Sequence, residues 1–179
     1  MQLDKYQASV LTFLFEKLPI GGDVDSLEFS LSGTFSGKYR VAHTAIEDSE
    51  QQARVVFTLP SYACSVFLAL TRTKQNETAR LLANLEDYER ESSLQLGLGE
   101  VVITPDHASA PDAPFAVILL RTATSPDCAD VPDSQIIAGQ QTMFFLVVPL
   151  TAEEWELRRQ QGHDALIAKF QADQKELYF

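Results

Sequence analysis

Hydrophobic and polar positions follow two different periods along this chain. In residues 4–18, apolar side chains recur every three or four positions, at Tyr6, Val10, Phe13, Leu14 and Leu18. This spacing predicts an amphipathic helix, which Pro19 and the following glycines end. Residues 27–31 and 38–44 instead alternate with a period of two, which predicts a pair of antiparallel strands.

Apolar runs in residues 54–60, 115–120 and 140–148 predict buried strands, and residues 101–104 predict a shorter one. Residues 61–70 are too uniformly apolar to separate helix from strand. Asn76 is the expected N-cap of a helix whose apolar stripe is Leu81, Leu82, Leu85 and Tyr88. Two proline- and aspartate-rich segments, residues 104–114 and 125–132, are predicted loops.

The sharpest local signal is the tetrapeptide from Thr151 to Glu154, which has the form of a capping box. It predicts a helix start, and Gly162 then separates this helix from one with Leu166, Ile167 and Phe170 on one face. The order of elements predicts a single α+β domain over residues 1–179, with a mixed, largely antiparallel sheet flanked by helices.

Net charge narrows the range of partners. The 179 residues include 25 acidic and 14 basic ones, a formal charge of −11. Such acidity argues against nucleic acid and against an anionic membrane surface, both of which are bound through Lys and Arg. No apolar run reaches the roughly 18 residues of a membrane span, and the first residues lack the pattern of a secretory signal. We therefore expect a cytoplasmic protein.

The excess charge is concentrated in one third of the chain. Residues 91–157 contain ten acidic residues and one basic residue, Arg121, whereas the rest is nearly balanced with 15 and 13. Clustered charge of this kind steers a basic protein partner, although it is equally consistent with solvated loops. On the first interpretation, the partner-binding residues are Glu100, Asp106, Asp112, Asp127, Asp130 and Asp133.

Candidate catalytic chemistry is sparse. The histidines His43, His107 and His163 are isolated from one another, and neither cysteine has metal-ligand spacing. Cys64 is expected in the core and Cys128 in an exposed loop. The carboxylate pairs, such as Glu86-Asp87, are expected in polar loops or on solvated helix faces. We expect no cofactor and no metal, but a small hydrolase or transferase using His43 or Cys64 remains an alternative.

The C-terminal part resembles a known family. The order of a strand (Met143-Phe-Phe-Leu-Val-Val), Pro149-Leu150, a capped acidic helix start, Gly162 and an apolar helix resembles the end of the bacterial suppressor-of-fused-like domain. Residues 79–88, 96–105 and 54–60 resemble further elements of that family. The resemblance covers roughly residues 38–175 and is most specific over residues 142–170.

This resemblance implies a mixed α/β fold and protein binding without catalysis. Eukaryotic members hold a transcription factor in an inactive complex, and bacterial relatives are read as immunity proteins that neutralise a cognate toxin. A toxin domain is typically basic, which suits the acidic loops. A structural or assembly module, dimeric through the C-terminal helix with its apolar end Leu177-Tyr-Phe179, is a further alternative.

Overall fold

The computed structural model of the chain describes residues 1–31, 33–50, 52–61, 65–104 and 113–179. Within these residues lie four α-helices: α1 (Lys5–Lys17), α2 (Gln75–Ser92), α3 (Ala152–Gln161) and α4 (His163–Ala172). The same residues form eight strands: β1 (Asp25–Phe29), β2 (Tyr39–Ala45), β3 (Arg54–Leu59), β4 (Ser65–Thr71), β5 (Val101–Ile103), β6 (Ala116–Leu120), β7 (Ser134–Ile137) and β8 (Gln140–Leu150).

The strands form one sheet in the order β1-β2-β3-β4-β8-β6-β5, with β7 paired to β8 outside this path. β4 and β8 run parallel, with Ser65 opposite Met143. The other named pairings are antiparallel. The prediction of a mixed, largely antiparallel sheet flanked by helices is therefore confirmed.

β6 and β7 lie end to end along the same side of β8. β6 pairs with residues 146–150 of β8, and β7 pairs with residues 140–143. Between them the chain leaves the sheet through two short 3₁₀ turns and returns at Ser134. β5 pairs with the outer side of β6. The sheet is therefore one strand wider beside β6 than beside β7.

Alternation along the strands separates two cores, one on each face of the sheet. α1 and α4 cover the first face, where Val10, Leu14, Leu166 and Phe170 are buried. α2 covers the second face, where Ala79, Leu82, Ala83 and Leu85 pack with strand residues that include Val56, Phe67 and Phe145. Two helices, α1 and α4, thus cover one face, and α2 covers most of the other.

The helix starts differ in how they are capped. The predicted capping box is confirmed: Glu154 N–H donates to Thr151 Oγ1 at 3.2 Å, and Thr151 N–H donates to Glu154 Oε2 at 2.9 Å. Asp4 and Gln7 form a second capping box at α1. Such a cap stabilises a helix by about 1 kcal/mol.

The predicted N-cap at Asn76 is wrong, because α2 begins at Gln75 with Lys74 as its N-cap. Lys74 N–H donates to Thr71 Oγ1 at 3.0 Å, so the last residue of β4 starts the turn into the helix two residues earlier. Of the ambiguous segment before it, residues 65–70 belong to β4, which is buried along its whole length. The predicted stripe is also wrong at Tyr88, which is 46% exposed.

The apolar C-terminal residues pack against the chain itself. Tyr178 forms a parallel bridge to Leu70, and Phe179 N–H donates to the Leu70 carbonyl at 2.8 Å. Tyr178 Oη also donates to Asp127 Oδ2 at 3.2 Å. The apolar C-terminal residues therefore contact other residues of the same chain. None of the helices in the described ranges has the length and hydropathy needed to cross a bilayer.

Candidate functional site

A groove of about 1320 Å³ lies between α2 and the edge strand β5. Buried Leu85, Leu96 and Val117 line its depth. It exists because α2 packs across β1, β2, β3 and β4 and stops short of β5 at the far edge of the sheet. A single helix thus leaves part of its face of the sheet uncovered.

The β5 wall begins with a bulge. Gly99 N–H donates to the Leu119 carbonyl at 2.7 Å, and Leu119 N–H donates to the Glu100 carbonyl at 3.0 Å, so two residues oppose one. Gly99 has φ +79°, the left-handed conformation that this kind of bulge requires. The bulge sets the start of the edge strand and places Glu100 at the end of the groove.

Some main-chain groups of β5 point away from the sheet along this edge. Glu100 and Thr104 both bond to β6, the latter through its N–H to the Phe115 carbonyl at 3.1 Å. Because bonding alternates along an antiparallel pair, the N–H and C=O groups of Val101 and Ile103 face away from β6. Such an unpaired edge is a ready template for another chain.

Exposed apolar side chains lie on and near this groove. Tyr88 on α2 is 46% exposed and lines the groove, as does Val102, which packs with the α2 core. Ile103 on β5 is 51% exposed and borders the groove, but its side chain lies on the opposite face of the sheet, with its cross-strand partner Ala116. Leu94 and Leu98, in the segment that joins α2 to β5, are also exposed. Clustered exposed apolar residues mark interaction sites more often than single ones do.

The charged groups along the groove are mixed in sign. Acidic lining residues are Glu77, Asp87, Glu91 and Glu100, and basic ones are Lys74, Arg80 and Arg158. Several already have partners: Asp87 accepts from Tyr39 Oη at 2.6 Å, and Arg158 donates to the Gly99 carbonyl at 2.6 Å. The groove therefore has an apolar floor, and hydrogen bonds within the protein hold several of the charged side chains along it in place.

Two carboxyl side chains of α2, those of Glu86 and Glu89, are buried, so the expectation that Glu86 lies on a solvated helix face is wrong. Glu86 is 1% exposed; its Oε1 accepts from Ser61 N–H at 3.2 Å, and its Oε2 has no hydrogen-bond partner among the described residues. Glu89 is 6% exposed and accepts from Ser65 Oγ and Leu96 N–H, each at 2.8 Å. Burial raises the pKa of Glu86 to about 8 and also raises that of Glu89. Both residues follow Leu82 at helical spacing, at i+4 and i+7, which was the available sequence signal.

The predicted partner-binding residues fall in separate places. Asp127, Asp130 and Asp133 share the loop between β6 and β7. Asp133 forms an ion pair with Arg121 at 2.6 Å, whereas Asp130 is exposed. Glu100 instead lines the α2–β5 groove. Asp106 and Asp112 lie outside the described residues.

The two predicted interface loops leave β6 from opposite ends. Thr104 bonds to Phe115 just before β6 begins, whereas Arg121 directly follows its last residue, Leu120. The second loop also turns toward the α1–α4 face, because Cys128 and Val131 are buried in that core.

The expectation that Cys128 is exposed is wrong. Its side chain is fully buried, and burial raises the pKa of the thiol to about 12. A loop rich in proline and aspartate can still have an inner side, and this loop folds back on the sheet so that Cys128 reaches the core. The protonated thiol is a poor nucleophile. Cys64 lies outside the described residues.

His43 lies on β2 away from the groove. Its Nδ1 is 2.9 Å from Arg54 Nη2 and 3.9 Å from Asp25 Oδ2, and the residue is 7% exposed. Burial and the Arg54 charge lower the pKa of His43, which favours the neutral imidazole. Within the described residues, no three His, Cys, Asp or Glu side chains are grouped closely enough to hold a metal ion.

Comparisons with known proteins identify the fold through a solved structure and the family through its sequence model. The fold is that of a crystal structure from Neisseria gonorrhoeae FA 1090 described as a homologue of suppressor of fused, with a TM-score of 0.74 and 15% identity over 97% of this chain and 93% of that one. The family described as Suppressor of fused protein (SUFU) matches residues 36–179. The chain belongs to the SUFU family.

More distant matches include the Sufu–Fu complex and Drosophila Suppressor of Fused. Each has a TM-score of 0.46 and covers 85% of this chain, with 8% and 9% identity respectively. This chain corresponds to 69% of the first structure's chain and 38% of the second's. None of the curated proteins compared with the chain matches it.

Proposed function

We propose that this chain is a non-catalytic protein-binding protein whose partner docks in the α2–β5 groove. The observation that carries the proposal is the combination of outward-facing main-chain groups at Val101 and Ile103 with the groove-lining side chains of Tyr88 and Val102. Membership in the SUFU family supports protein binding over catalysis.

The finer proposal is an immunity protein of the cytoplasm that neutralises a basic toxin domain. The charge distribution supports it, because ten of the 25 acidic residues lie in residues 91–157 beside a single base. Glu100, Asp127, Asp130 and Asp133 would attract such a domain, together with Asp106 and Asp112. The partner would be a protein and neither nucleic acid nor membrane.

The test begins with the protein encoded next to this chain. Its C-terminal domain is expressed alone and together with this chain, and growth is measured. Rescue of growth by this chain is the expected result. Growth arrest in both cultures, with no complex on size-exclusion chromatography, would contradict the immunity proposal.

Variants of the same complex then test the groove. Val102→Thr combined with Tyr88→Ser makes two groove-lining side chains more polar and should weaken binding about tenfold or more, since central apolar contacts dominate interface energies. Unchanged affinity would place the partner elsewhere on the molecule.

Charge reversal tests the acidic residues separately. Changing Asp127, Asp130 and Asp133 to lysine should lower the association rate and its salt dependence. The matched control changes Glu47, Asp48 and Glu50 to lysine, which alters net charge equally but lies in the exposed loop after β2. Equal effects of the two triple variants would show that only total charge matters.

A further inference from the structure

The sheet has an empty position beside β7. β6 and β7 form one line along β8, and β5 pairs with the outer side of β6. Among the strands of the described residues, none pairs with the outer side of β7. A strand added there would continue the line of β5.

The hydrogen-bond register shows which β7 groups are unpaired. Phe144 N–H donates to the Asp133 carbonyl at 2.9 Å, and Ile137 pairs with Gln140 across a two-residue turn. That turn has positive φ at Ala138 and Gly139, as tight hairpins require. Because bonding alternates, Gln135 and Ile137 bond to β8, whereas the N–H and C=O groups of Ser134 and Ile136 point outward.

The side chains along β7 fit the same conclusion. Ile137 is buried in the core beneath α1, so Ile136 points to the opposite face of the hairpin, where it is 65% exposed. It is the most exposed of the large hydrophobic residues in the described ranges. No lysine or proline lies within β7 to block pairing at this edge.

The edge at β1 shows what a protected edge looks like in this protein. β1 carries Asp25 and Glu28, and Glu28 forms ion pairs with Arg40 and Lys38. Charged side chains of this kind blunt an edge strand. β7 has no charged residue along its length.

The charge next to β7 selects the kind of strand that fits. Asp127, Asp130 and Asp133 directly precede β7, and Arg121 is the base that accompanies them, through its ion pair with Asp133. A basic segment meets a net attraction here, whereas an acidic one meets repulsion.

We propose that β7 is a second docking site, which takes a short, extended, basic segment of the partner protein by strand addition. The segment pairs its main chain with Ser134 and Ile136, packs an apolar side chain on Ile136, and directs basic side chains toward Asp130 and its neighbours. This proposal rests on the proposed protein-binding function and concerns a site separate from the α2–β5 groove.

A synthetic probe tests the site without the natural partner. The probe is a capped seven-residue peptide of alternating valine and lysine with a fluorophore, and binding is followed by fluorescence anisotropy. Ile136→Pro removes the outward N–H while sparing the inward bonds of Gln135 and Ile137, and should weaken binding about tenfold. The control, Ile136→Ala, keeps the N–H and should weaken it less.

Hydrogen exchange and a proline variant at the other edge, Ile103→Pro, show where the probe binds. Binding should slow exchange at Ser134 and Ile136, and a valine–glutamate peptide of the same length should not bind. Ile103→Pro, which removes an outward N–H from β5, should leave probe binding unchanged. Loss of binding in Ile103→Pro but not in Ile136→Pro would overturn the proposal, as would an N-methylated probe that binds as well as the parent.

The natural complex separates the two proposals. If the toxin domain forms no complex with this chain, the proposed function fails whatever the probe does. If the complex forms and Ile136→Pro leaves its affinity unchanged, the proposed function stands and the β7 site is wrong.

Discussion

The two unpaired edges on the β8 side of the sheet, β5 and β7, differ in their surroundings. β5 borders a deep groove whose other wall is α2, and its Val102 side chain is part of the concave apolar surface. Within the described residues no helix covers the exposed Ile136 of β7, and the neighbour of β7 in sequence is the acidic loop that ends at Asp133. The same backbone pattern thus offers shape complementarity at one edge and charge complementarity at the other.

The helices behind the two edges also differ. α1, which packs near β7, starts with a capping box, whereas α2, which walls the groove, has no side-chain cap and buries Glu86 and Glu89. Buried carboxyl groups and missing caps lower the stability of an element. We infer that the groove side of the molecule is held less firmly than the β7 side, and three predictions sharpen this comparison.

The largest expected effect concerns Glu86. Because its pKa is about 8 in the folded protein and near 4.5 when unfolded, the folded state binds the extra proton between these values. Its stabilising contribution is complete below about pH 4.5 and is lost as the pH rises through about 8. The loss is at most about 5 kcal/mol. Urea denaturation across this pH range measures it.

Glu86→Gln should flatten this pH dependence and make the protein more stable than the wild type above pH 8, since the amide keeps an acceptor for Ser61 N–H. Glu77→Gln, at an exposed position of the same helix, is the control and should keep the wild-type profile. A wild-type free energy of unfolding that stays constant over this pH range would show that the pKa of Glu86 is not raised by folding. Glu89, whose pKa is also raised, would leave a smaller residual slope.

Proline substitutions give the next largest effect and test the register of both edges. Val102→Pro and Gln135→Pro each remove an inward ladder bond and should cost about 1–3 kcal/mol, because a buried carbonyl of the neighbouring strand loses its donor. Ile103→Pro and Ile136→Pro remove outward N–H groups and should cost less. Thermal and urea unfolding of the four variants measures these losses. If Val102→Pro and Ile103→Pro on β5, or Gln135→Pro and Ile136→Pro on β7, lose equal stability, the register assigned to that strand is wrong.

The smallest effect concerns the caps. Thr151→Ala and Asp4→Ala each remove one half of a capping box and should cost about 1 kcal/mol of unfolding free energy. Thr151→Ser keeps the hydroxyl and serves as the control. Hydrogen exchange should show that Asp4→Ala loosens α1 without reaching the groove. Faster exchange in α2 instead would indicate that the two sides of the molecule unfold together.

Much of the fold was predictable because its signals are local. The period-two segments became β1 and β2, the apolar runs became β3, β6 and β8, and the Thr151–Glu154 box marked the start of α3. Each of these depends on residues within a few positions of one another. β7 was missed, since three of its four residues are exposed and no apolar alternation marks it.

The candidate site was largely not predictable. The groove depends on where α2 stops across the sheet, and β5 is an edge only because of the strand order. Cys128 shows the same limit: its loop composition indicated exposure, but the path of the loop across the α1–α4 face buried it. The burial of Glu86 could have been predicted, because it lies four residues after Leu82 and therefore on the same face of the helix.

What the sequence determined by itself is most of the elements, their mixed character, the net charge and its concentration in residues 91–157. Hydrophobic period, caps and charge are properties of neighbouring residues, so a linear chain already contains them. Only the tertiary structure decided which strands are edges, which acidic residues are buried and which share a surface. Those properties depend on pairing between distant segments, such as β4 and β6 on β8, whose energies arise when the sheet assembles.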